Sequence, residues 1–82
     1  MTTTDNITMT SEYTKMQRIN IHFCSLQKCG CDPIALFGST AKFNLHYQRY
    51  TLEELEVLNK NDERKLNSIG LTVADIVRIY NL

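Results

Sequence analysis

The sequence predicts a small, mostly α-helical domain with a C-terminal cluster of three short helices. Two observations carry this prediction: apolar residues recur at helical spacing between residues 11 and 28, and residues 51–82 contain two helix-capping boxes on either side of a glycine. The chain has 82 residues, of which 43% are hydrophobic, and this suits one domain with a packed core. We expect the Thr-rich residues 1–10 to form a flexible N-terminal tail and residues 11–82 to form the domain.

Residues 11–28 carry two competing apolar patterns. The first has the spacing of one helix face: Tyr13, Met16, Ile19, Phe23 and Leu26. Polar side chains fall on the opposite side of that helix: Lys15, Arg18, His22 and Ser25. The second pattern is the alternation from Ile19 to Phe23, which is typical of a half-buried strand. The helix accounts for more residues, so we predict one that begins at Thr10 or Ser11 and is capped by Gly30.

Residues 32–50 also allow two interpretations. Asp32-Pro33 indicates a helix start, because the Asp side chain accepts hydrogen bonds from free backbone N–H groups and Pro needs no such bond in the first turn. The Gly-Ser-Thr run at 38–40 weakens this helix and can split it. Phe43, Leu45 and Tyr47 alternate with polar residues, as in a strand. The alternative fold is therefore α+β, with a two-stranded hairpin at about residues 18–50 followed by the helices.

The first C-terminal helix has a clear start. Thr51 and Glu54 have the spacing of a capping box, and Tyr50 is placed to pack on Leu55 as the accompanying apolar contact. The run Asn59-Lys60-Asn61 interrupts the apolar pattern, so we predict that the helix breaks there and a second short helix follows.

The second and third of these helices are separated by a glycine. Gly70 is placed to end the second helix, with Leu71 returning onto Leu66 as the contact that accompanies such a cap. Thr72 and Asp75 then have the spacing of another capping box, which predicts the start of the last helix.

The last third of the chain resembles a known family. The apolar spacing from Leu52 to Leu58, the Asp-Glu-Arg run at 62–64 and the segment from Leu66 to Ile76 resemble the YjiS-like family of small bacterial proteins. That domain is of unknown function, and some members have been linked to RNA binding. The basic residues usual in the family are largely replaced here, for example by Val73. The resemblance implies helices in this region and makes RNA one candidate partner.

Targeting signals are absent from the sequence. The N-terminus lacks a basic start followed by an apolar run, and no apolar stretch approaches the ~20 residues that span a bilayer. Three cysteines are an odd number and do not indicate a closed disulfide framework. We therefore predict a cytoplasmic protein with no membrane partner.

Aromatic and acidic side chains are the candidate contacts for a protein partner. Tyr is enriched at interfaces because it combines a large contact area with a polar hydroxyl, and exposed carboxylates steer basic surfaces. The predicted partner-binding residues are Tyr47, Tyr50, Glu53, Glu54 and Tyr80.

No spacing in the sequence brings a nucleophile, a base and an orienting carboxylate together, and no glycine-rich phosphate loop occurs. We therefore predict a non-enzymatic accessory protein, without a cofactor, that binds a larger protein and regulates or blocks it, as phage-encoded inhibitors do. Nine basic and nine acidic residues give no net charge, which also favours self-association.

Two alternative functions use other residues. A nucleic-acid-binding regulator would use a helix-turn-helix-like C-terminus around Gly70 and a set of cations: Lys15, Arg18, Lys28, Arg49, Arg64, Lys65 and Arg78. A zinc- or redox-responsive switch would use soft donor side chains: His22, Cys24, Cys29 and Cys31.

Overall fold

Five α-helices make up the described part of the chain. The computed structural model describes the backbone of residues 3–82 and the side chains of residues 14–82. In chain order the helices are α1 (Thr3–Lys28), α2 (Pro33–Phe37), α3 (Thr40–Tyr47), α4 (Leu52–Ser68) and α5 (Val73–Ile79). No strand occurs among the described residues. The prediction of a mostly α fold is confirmed, and the α+β alternative with a hairpin at residues 18–50 is wrong.

Helix α1 begins earlier than predicted. Its backbone is helical from Thr3, so the predicted start at Thr10 or Ser11 is too late. Residues 1 and 2 of the predicted tail lie outside the described residues, and the flexibility of residues 1–10 stays a prediction. The helix ends at Lys28, and the predicted cap Gly30 follows in the turn with φ +88°.

The buried face of α1 is wider than the predicted face. Ile19 is buried as expected, but His22 and Ser25 are buried too, and Met16 is 58% exposed. No described residue is a hydrogen-bond partner of the Ser25 hydroxyl. Because α1 packs against α2, α4 and α5, more of its circumference is covered than one apolar stripe requires. The side chain of Tyr13 lies outside the described residues.

A polar side chain caps each of α2 and α3. Asp32 accepts a hydrogen bond from the backbone N–H of Ile34 at 3.1 Å, one residue beyond Pro33. Ser39 accepts one from the N–H of Lys42 at 3.1 Å and so starts a new helix. The predicted helix start at Asp32 and the split at residues 38–40 are therefore both confirmed.

Both predicted capping boxes are present. The Thr51 hydroxyl accepts from the N–H of Glu54 at 3.1 Å, and the Glu54 carboxylate accepts from the N–H of Thr51 at 2.9 Å. Thr72 and Asp75 exchange the same two bonds, at 3.1 and 2.9 Å. These bonds satisfy N–H groups that no helical carbonyl reaches, so α4 and α5 start where predicted.

The predicted break at Asn59-Lys60-Asn61 is wrong, because α4 continues through it. The three predicted short helices are instead one helix of 17 residues and α5. The Asn59 amide donates to the carbonyl of Arg18 at 3.1 Å, and Asp62 contacts His22 at 2.8 Å. These bonds to α1 offset the weak helix propensity of Asn and Asp.

Two apolar clusters form the core. The first joins α1, α3 and α4 and contains Ile19, Phe43, Tyr47 and Leu55. The second joins α1, α4 and α5 and contains Cys24, Leu66 and Ile76. Helices α1 and α4 contribute to both clusters, while α3 contributes to the first and α5 to the second. The long pair α1–α4 is therefore the frame on which the short helices are held.

The end of α4 matches the predicted glycine cap. Gly70 has φ +84°, a conformation that glycine reaches at little cost. The N–H of Leu71 donates to the carbonyl of Leu66 at 2.9 Å, and the Leu71 side chain packs on the second cluster. This is the hydrogen bond and apolar contact of a Schellman motif, and it turns the chain from α4 into α5.

Candidate functional site

Three buried side chains form a hydrogen-bonded relay that links α1, α3 and α4. The two carboxylate oxygens of Asp62 lie 2.8 and 3.0 Å from Nδ1 of His22, and Nε2 of His22 lies 3.3 Å from the Tyr47 hydroxyl. None of the three residues is more than 9% exposed. Because a carboxylate only accepts hydrogen bonds, Nδ1 of His22 carries the proton that is donated to Asp62. We refer to these residues as the Asp62–His22–Tyr47 relay.

The relay is built as a cross-link between helices. Burial raises the pKa of Tyr47, and the nearby Tyr50 and Asp62 raise it further, so the phenol is protonated at neutral pH. The phenol can then donate to Nε2 of His22, 3.3 Å away, when that nitrogen carries no proton. A carboxylate, an imidazole and a hydroxyl in line are the parts of a nucleophile-activating triad. Here the Tyr47 hydroxyl is directed at His22 inside the core, so the arrangement joins three helices.

The structure does not bring the predicted metal ligands together. His22 is held by the relay, and Cys24 is buried in the second cluster, where burial raises its pKa. Cys29 is half-buried, Cys31 is exposed, and all three thiols are free. Among the described residues, no group of three or more His, Cys, Asp or Glu side chains is placed to hold a metal ion.

Most of the predicted nucleic-acid-binding cations already make contacts with other residues of the chain. Four of the seven make intramolecular contacts: Lys15 with the carbonyl of Gln48 at 2.8 Å, Arg18 with Glu56 at 3.2 Å, Arg78 with Asp75 at 2.6 Å, and Lys28 with the centre of the Tyr80 ring at 5.9 Å. The other three are exposed: Arg49 lies in the turn after α3, and Arg64 and Lys65 lie on α4. Helix α5, the predicted recognition helix, has seven residues and one cation, which is paired.

The predicted partner-binding residues do not form one surface. Tyr47 is buried in the relay and is not an exposed anchor, because its ring completes the first cluster. Tyr50 is half-buried against that same cluster, whereas Tyr80 is half-buried against the second. Glu53 and Glu54 are exposed in the first turn of α4, where Glu54 is part of the capping box.

Helices α2 and α3 expose large apolar side chains that the sequence analysis did not assign to a surface. Leu36 is 69% exposed, Leu45 is 61% exposed and Ile34 is 44% exposed. The Phe37 ring packs on Phe43 with centroids 5.1 Å apart, which holds α2 against α3. Ile34 and Leu36 are two positions apart and so lie on different flanks of α2, and we refer to Ile34, Leu36 and Leu45 only as the exposed apolar residues of α2 and α3.

The length and apolar composition of α2 could have indicated that some of its apolar residues are exposed. Helix α2 has five residues, and Pro33 and Phe37, four positions apart, point to the same side of it. Both are at least partly buried, so Ile34 and Leu36 cannot share their side. A short apolar helix between two breakers therefore exposes part of its apolar content, whichever side it buries.

Two clefts lie elsewhere on the described surface. One has a volume of about 330 Å³ and is lined by Lys15, Met16, Ile19 and Gln48, between α1 and the end of α3. The other has a volume of about 250 Å³ and is lined by Arg18, Ile21, Glu56, Asn59, Lys60, Glu63 and Val73. The charges of the second cleft balance, two cations against two carboxylates, so it has no preference for one sign of ligand.

The described helices include none with the length and apolar character required to cross a membrane. Comparison with known proteins finds no matching family model, no matching curated protein and no matching solved structure. The resemblance of the last third of the chain to the YjiS-like proteins therefore stays a prediction, and the function is proposed from the geometry of the molecule.

Proposed function

We propose that this chain is a small, non-enzymatic helical module that binds a larger protein and thereby regulates or blocks it. The observation that carries the proposal is the exposure of large apolar side chains on two short helices, with Leu36 at 69% and Leu45 at 61%. Large exposed apolar side chains are common on surfaces that are covered in a complex, and α2 and α3 expose three of them within twelve residues of the chain.

The distribution of charge supports a protein partner ahead of a nucleic acid. Phosphate contacts need protein cations that are free to neutralise phosphates, which releases the counterions condensed on the nucleic acid. Arg18 and Arg78 are in ion pairs with Glu56 and Asp75, and Lys15 is hydrogen-bonded to a backbone carbonyl. Rearranging these contacts would cost part of the affinity gained from phosphates.

The mode of action in this proposal is occlusion or recruitment. A domain that presents a fixed apolar surface can cover the working surface of its partner or hold the partner beside a third molecule. Tyr50 and Glu53, at the start of α4, remain candidate contacts at the edge of the interface. We place the protein in the cytoplasm in this proposal, where its three free thiols would stay reduced.

Affinity capture from the native host tests the proposal. The tagged protein is captured at low and at moderate salt, and the eluate is examined by mass spectrometry and by nucleic-acid sequencing, with an equally tagged helical protein of similar size as the control. We expect one larger protein at near-stoichiometric yield, unchanged by nuclease treatment. The purified pair should then form a complex that alters the partner's activity. An eluate that contains only nucleic acid, or nothing beyond the control, would refute the proposal.

A further inference from the structure

Three open clefts adjoin one another around Met16 on α1. The cleft of about 330 Å³ lies between α1 and the end of α3. A smaller cleft between the same two helices shares Met16, Ile19 and Gln48 with it. A third cleft, of about 130 Å³, shares Met16 and Asn20 with the smaller one and reaches Leu82, beyond α5. Because each cleft shares lining residues with the next, the three form one groove, which we call the Met16 groove.

Carboxamide side chains are concentrated in the Met16 groove. The chain has ten Asn and Gln residues, and four of them are among the eight described residues that line this groove: Gln17, Asn20, Asn44 and Gln48. None of these four side chains hydrogen-bonds to another described residue. Each carboxamide has a C=O acceptor and an NH₂ group with two donors. The groove therefore has unused hydrogen-bond donors and acceptors on both α1 and α3.

The remaining lining residues are apolar with one exception. Met16 is 58% exposed, and methionine packs against ligands of different shape because its side chain is flexible and polarisable. Ile19 is 2% exposed and belongs to the first core cluster, so it connects the groove to the core. The exception is Lys15, whose Nζ already donates to the carbonyl of Gln48 at 2.8 Å. The groove thus suits an uncharged ligand that has both apolar and hydrogen-bonding groups.

A polypeptide segment in extended conformation has both kinds of group. Its backbone N–H and C=O groups are free to bind a partner, whereas a helix uses most of its own internally. Carboxamides match these backbone groups because they are themselves amides. No strand occurs between residues 3 and 82, so an extended segment has no sheet edge to pair with, and side chains have to supply its hydrogen bonds.

We propose that the Met16 groove binds an extended, uncharged segment of a partner protein. Asn20 and Asn44 exchange hydrogen bonds with the backbone of that segment, and one of its apolar side chains packs against Met16 and Ile19. The groove is lined by none of the exposed apolar residues of α2 and α3. It therefore adds a second contact surface to the proposed function, on which it rests.

Peptide selection tests this inference without knowledge of the partner. A displayed library of random peptides of about ten residues is selected on the purified protein. Such a peptide spans roughly 33 Å when extended, which exceeds the intermediate dimension of the molecule, 28 Å. We expect the enriched peptides to be uncharged, to share an apolar position and to lack the apolar spacing of a helix. Their affinity should hardly change between low and moderate salt, because no ion pair forms.

Two of the carboxamides provide a variant with a matched control. Asn20→Ala/Asn44→Ala should weaken the binding of a synthetic copy of one enriched peptide at least about fivefold, because two hydrogen bonds are lost. Asn61→Ala/Asn67→Ala removes two exposed carboxamides of α4 and should leave the affinity unchanged. All four positions are helical, and alanine favours a helix more than asparagine does, so these variants should fold.

The apolar contact and the conformation of the peptide are tested separately. Met16→Ala should weaken binding about threefold, whereas Val57→Ala, at a position that is also 58% exposed, should have no effect. N-methylation of the peptide backbone, one amide at a time, removes its N–H donors. At one position or more it should weaken binding to the wild type about fivefold, and it should weaken binding to Asn20→Ala/Asn44→Ala much less.

The possible outcomes separate this inference from the proposed function. Peptides that bind the Asn20→Ala/Asn44→Ala and Met16→Ala variants as tightly as the wild type would overturn the groove and leave a protein-binding role in place. Helical or charged peptides, insensitivity to N-methylation at every position, or no enrichment at all would overturn the inference, whereas the proposed function depends on the affinity capture. Retention of neutral oligosaccharides, with no peptide enriched, would also count against it and identify a carbohydrate ligand instead.

Discussion

Removal of the Asp62 carboxylate is expected to destabilise the domain. Asp62 is 3% exposed, and its oxygens lie 2.8 and 3.0 Å from Nδ1 of His22. In Asp62→Ala the imidazole N–H is left buried without its acceptor, and a buried donor without a partner typically costs about 1–3 kcal/mol. A domain of 82 residues has roughly 4–12 kcal/mol of unfolding free energy. Asp62→Ala should therefore lose roughly a quarter of that free energy.

Two further variants isolate the carboxylate from its neighbours. Asp62→Asn keeps one oxygen that can accept from His22, removes the charge and replaces the second oxygen by an NH₂ group, so we expect a smaller cost of about 1 kcal/mol. Glu63→Ala removes the adjacent but exposed carboxylate and should stay within about 0.5 kcal/mol of the wild type. The order Asp62→Ala, then Asp62→Asn, then Glu63→Ala is the signature of a buried pair.

Urea unfolding followed by far-ultraviolet circular dichroism measures these free energies. A double-mutant cycle with His22→Ala should give a coupling energy of about 1.5 kcal/mol, because the two side chains are hydrogen-bonded to each other in the core. If Asp62→Ala does not fold, the cycle is run with Asp62→Asn. The reasoning is refuted if Asp62→Ala unfolds within about 0.5 kcal/mol of the wild type, or if the effects of the two substitutions simply add.

Three other predictions concern single positions. Gly70→Ala should lower the free energy of unfolding by about 1–2 kcal/mol, because φ is +84° and alanine is strained in that conformation. An added Cβ would meet no atom within 4 Å, so no steric clash adds to this backbone strain. An unchanged midpoint of thermal unfolding would contradict the prediction. Burial raises the pKa of Tyr47, so its contribution to stability is complete below its ordinary value of 10.0 and is lost as the pH rises through the higher folded value. The urea midpoint should therefore fall more steeply above about pH 10 in the wild type than in Tyr47→Phe, and equal slopes would argue against the buried phenol. Cys31 should react with a disulfide reagent in the native protein, whereas Cys24, which is 8% exposed, should react only after unfolding; equal rates without denaturant would contradict its burial.

The starts of α4 and α5 could be predicted from the sequence because capping is local, whereas the start of α1 was predicted too late. Thr51 bonds to a residue three positions away, and so does Thr72, and nothing distant is needed to form these boxes. The same holds for the end of α4, where Gly70 and Leu71 close the helix on Leu66. Interactions within one turn of helix are visible in a single sequence, and these three predictions are confirmed.

The continuity of α4 could not be predicted, because its cause lies far away along the chain. Asn59 bonds to a carbonyl 41 residues earlier, and Asp62 to a side chain 40 residues earlier. Viewed locally, Asn and Asp in the middle of a helix indicate an end, since their side chains compete for backbone hydrogen bonds. Only the packing of α4 on α1 turns these residues into contacts that hold the helix together.

The exposure of the apolar residues of α2 and α3 could not be predicted from the sequence either. An apolar residue in a sequence is assigned to the core by default, so Leu36 and Leu45 did not stand out, while Tyr47 did. The structure places Tyr47 inside and the two leucines outside. The number of residues in a helix and the elements that cover it decide which apolar residues remain exposed, and both depend on the tertiary structure.

The buried hydroxyl of Ser25, which has no partner among the described residues, lowers the free energy of unfolding below what this fold could reach. Desolvating a hydroxyl without a hydrogen bond costs about 1–3 kcal/mol, and alanine fits the same space without that cost. Ser25→Ala should raise the melting temperature by several degrees, at about 4–8 °C per kcal/mol for a domain of this size, as differential scanning calorimetry would show. The substitution would thus add thermal tolerance while leaving every outward-facing group untouched, because Ser25 is 1% exposed.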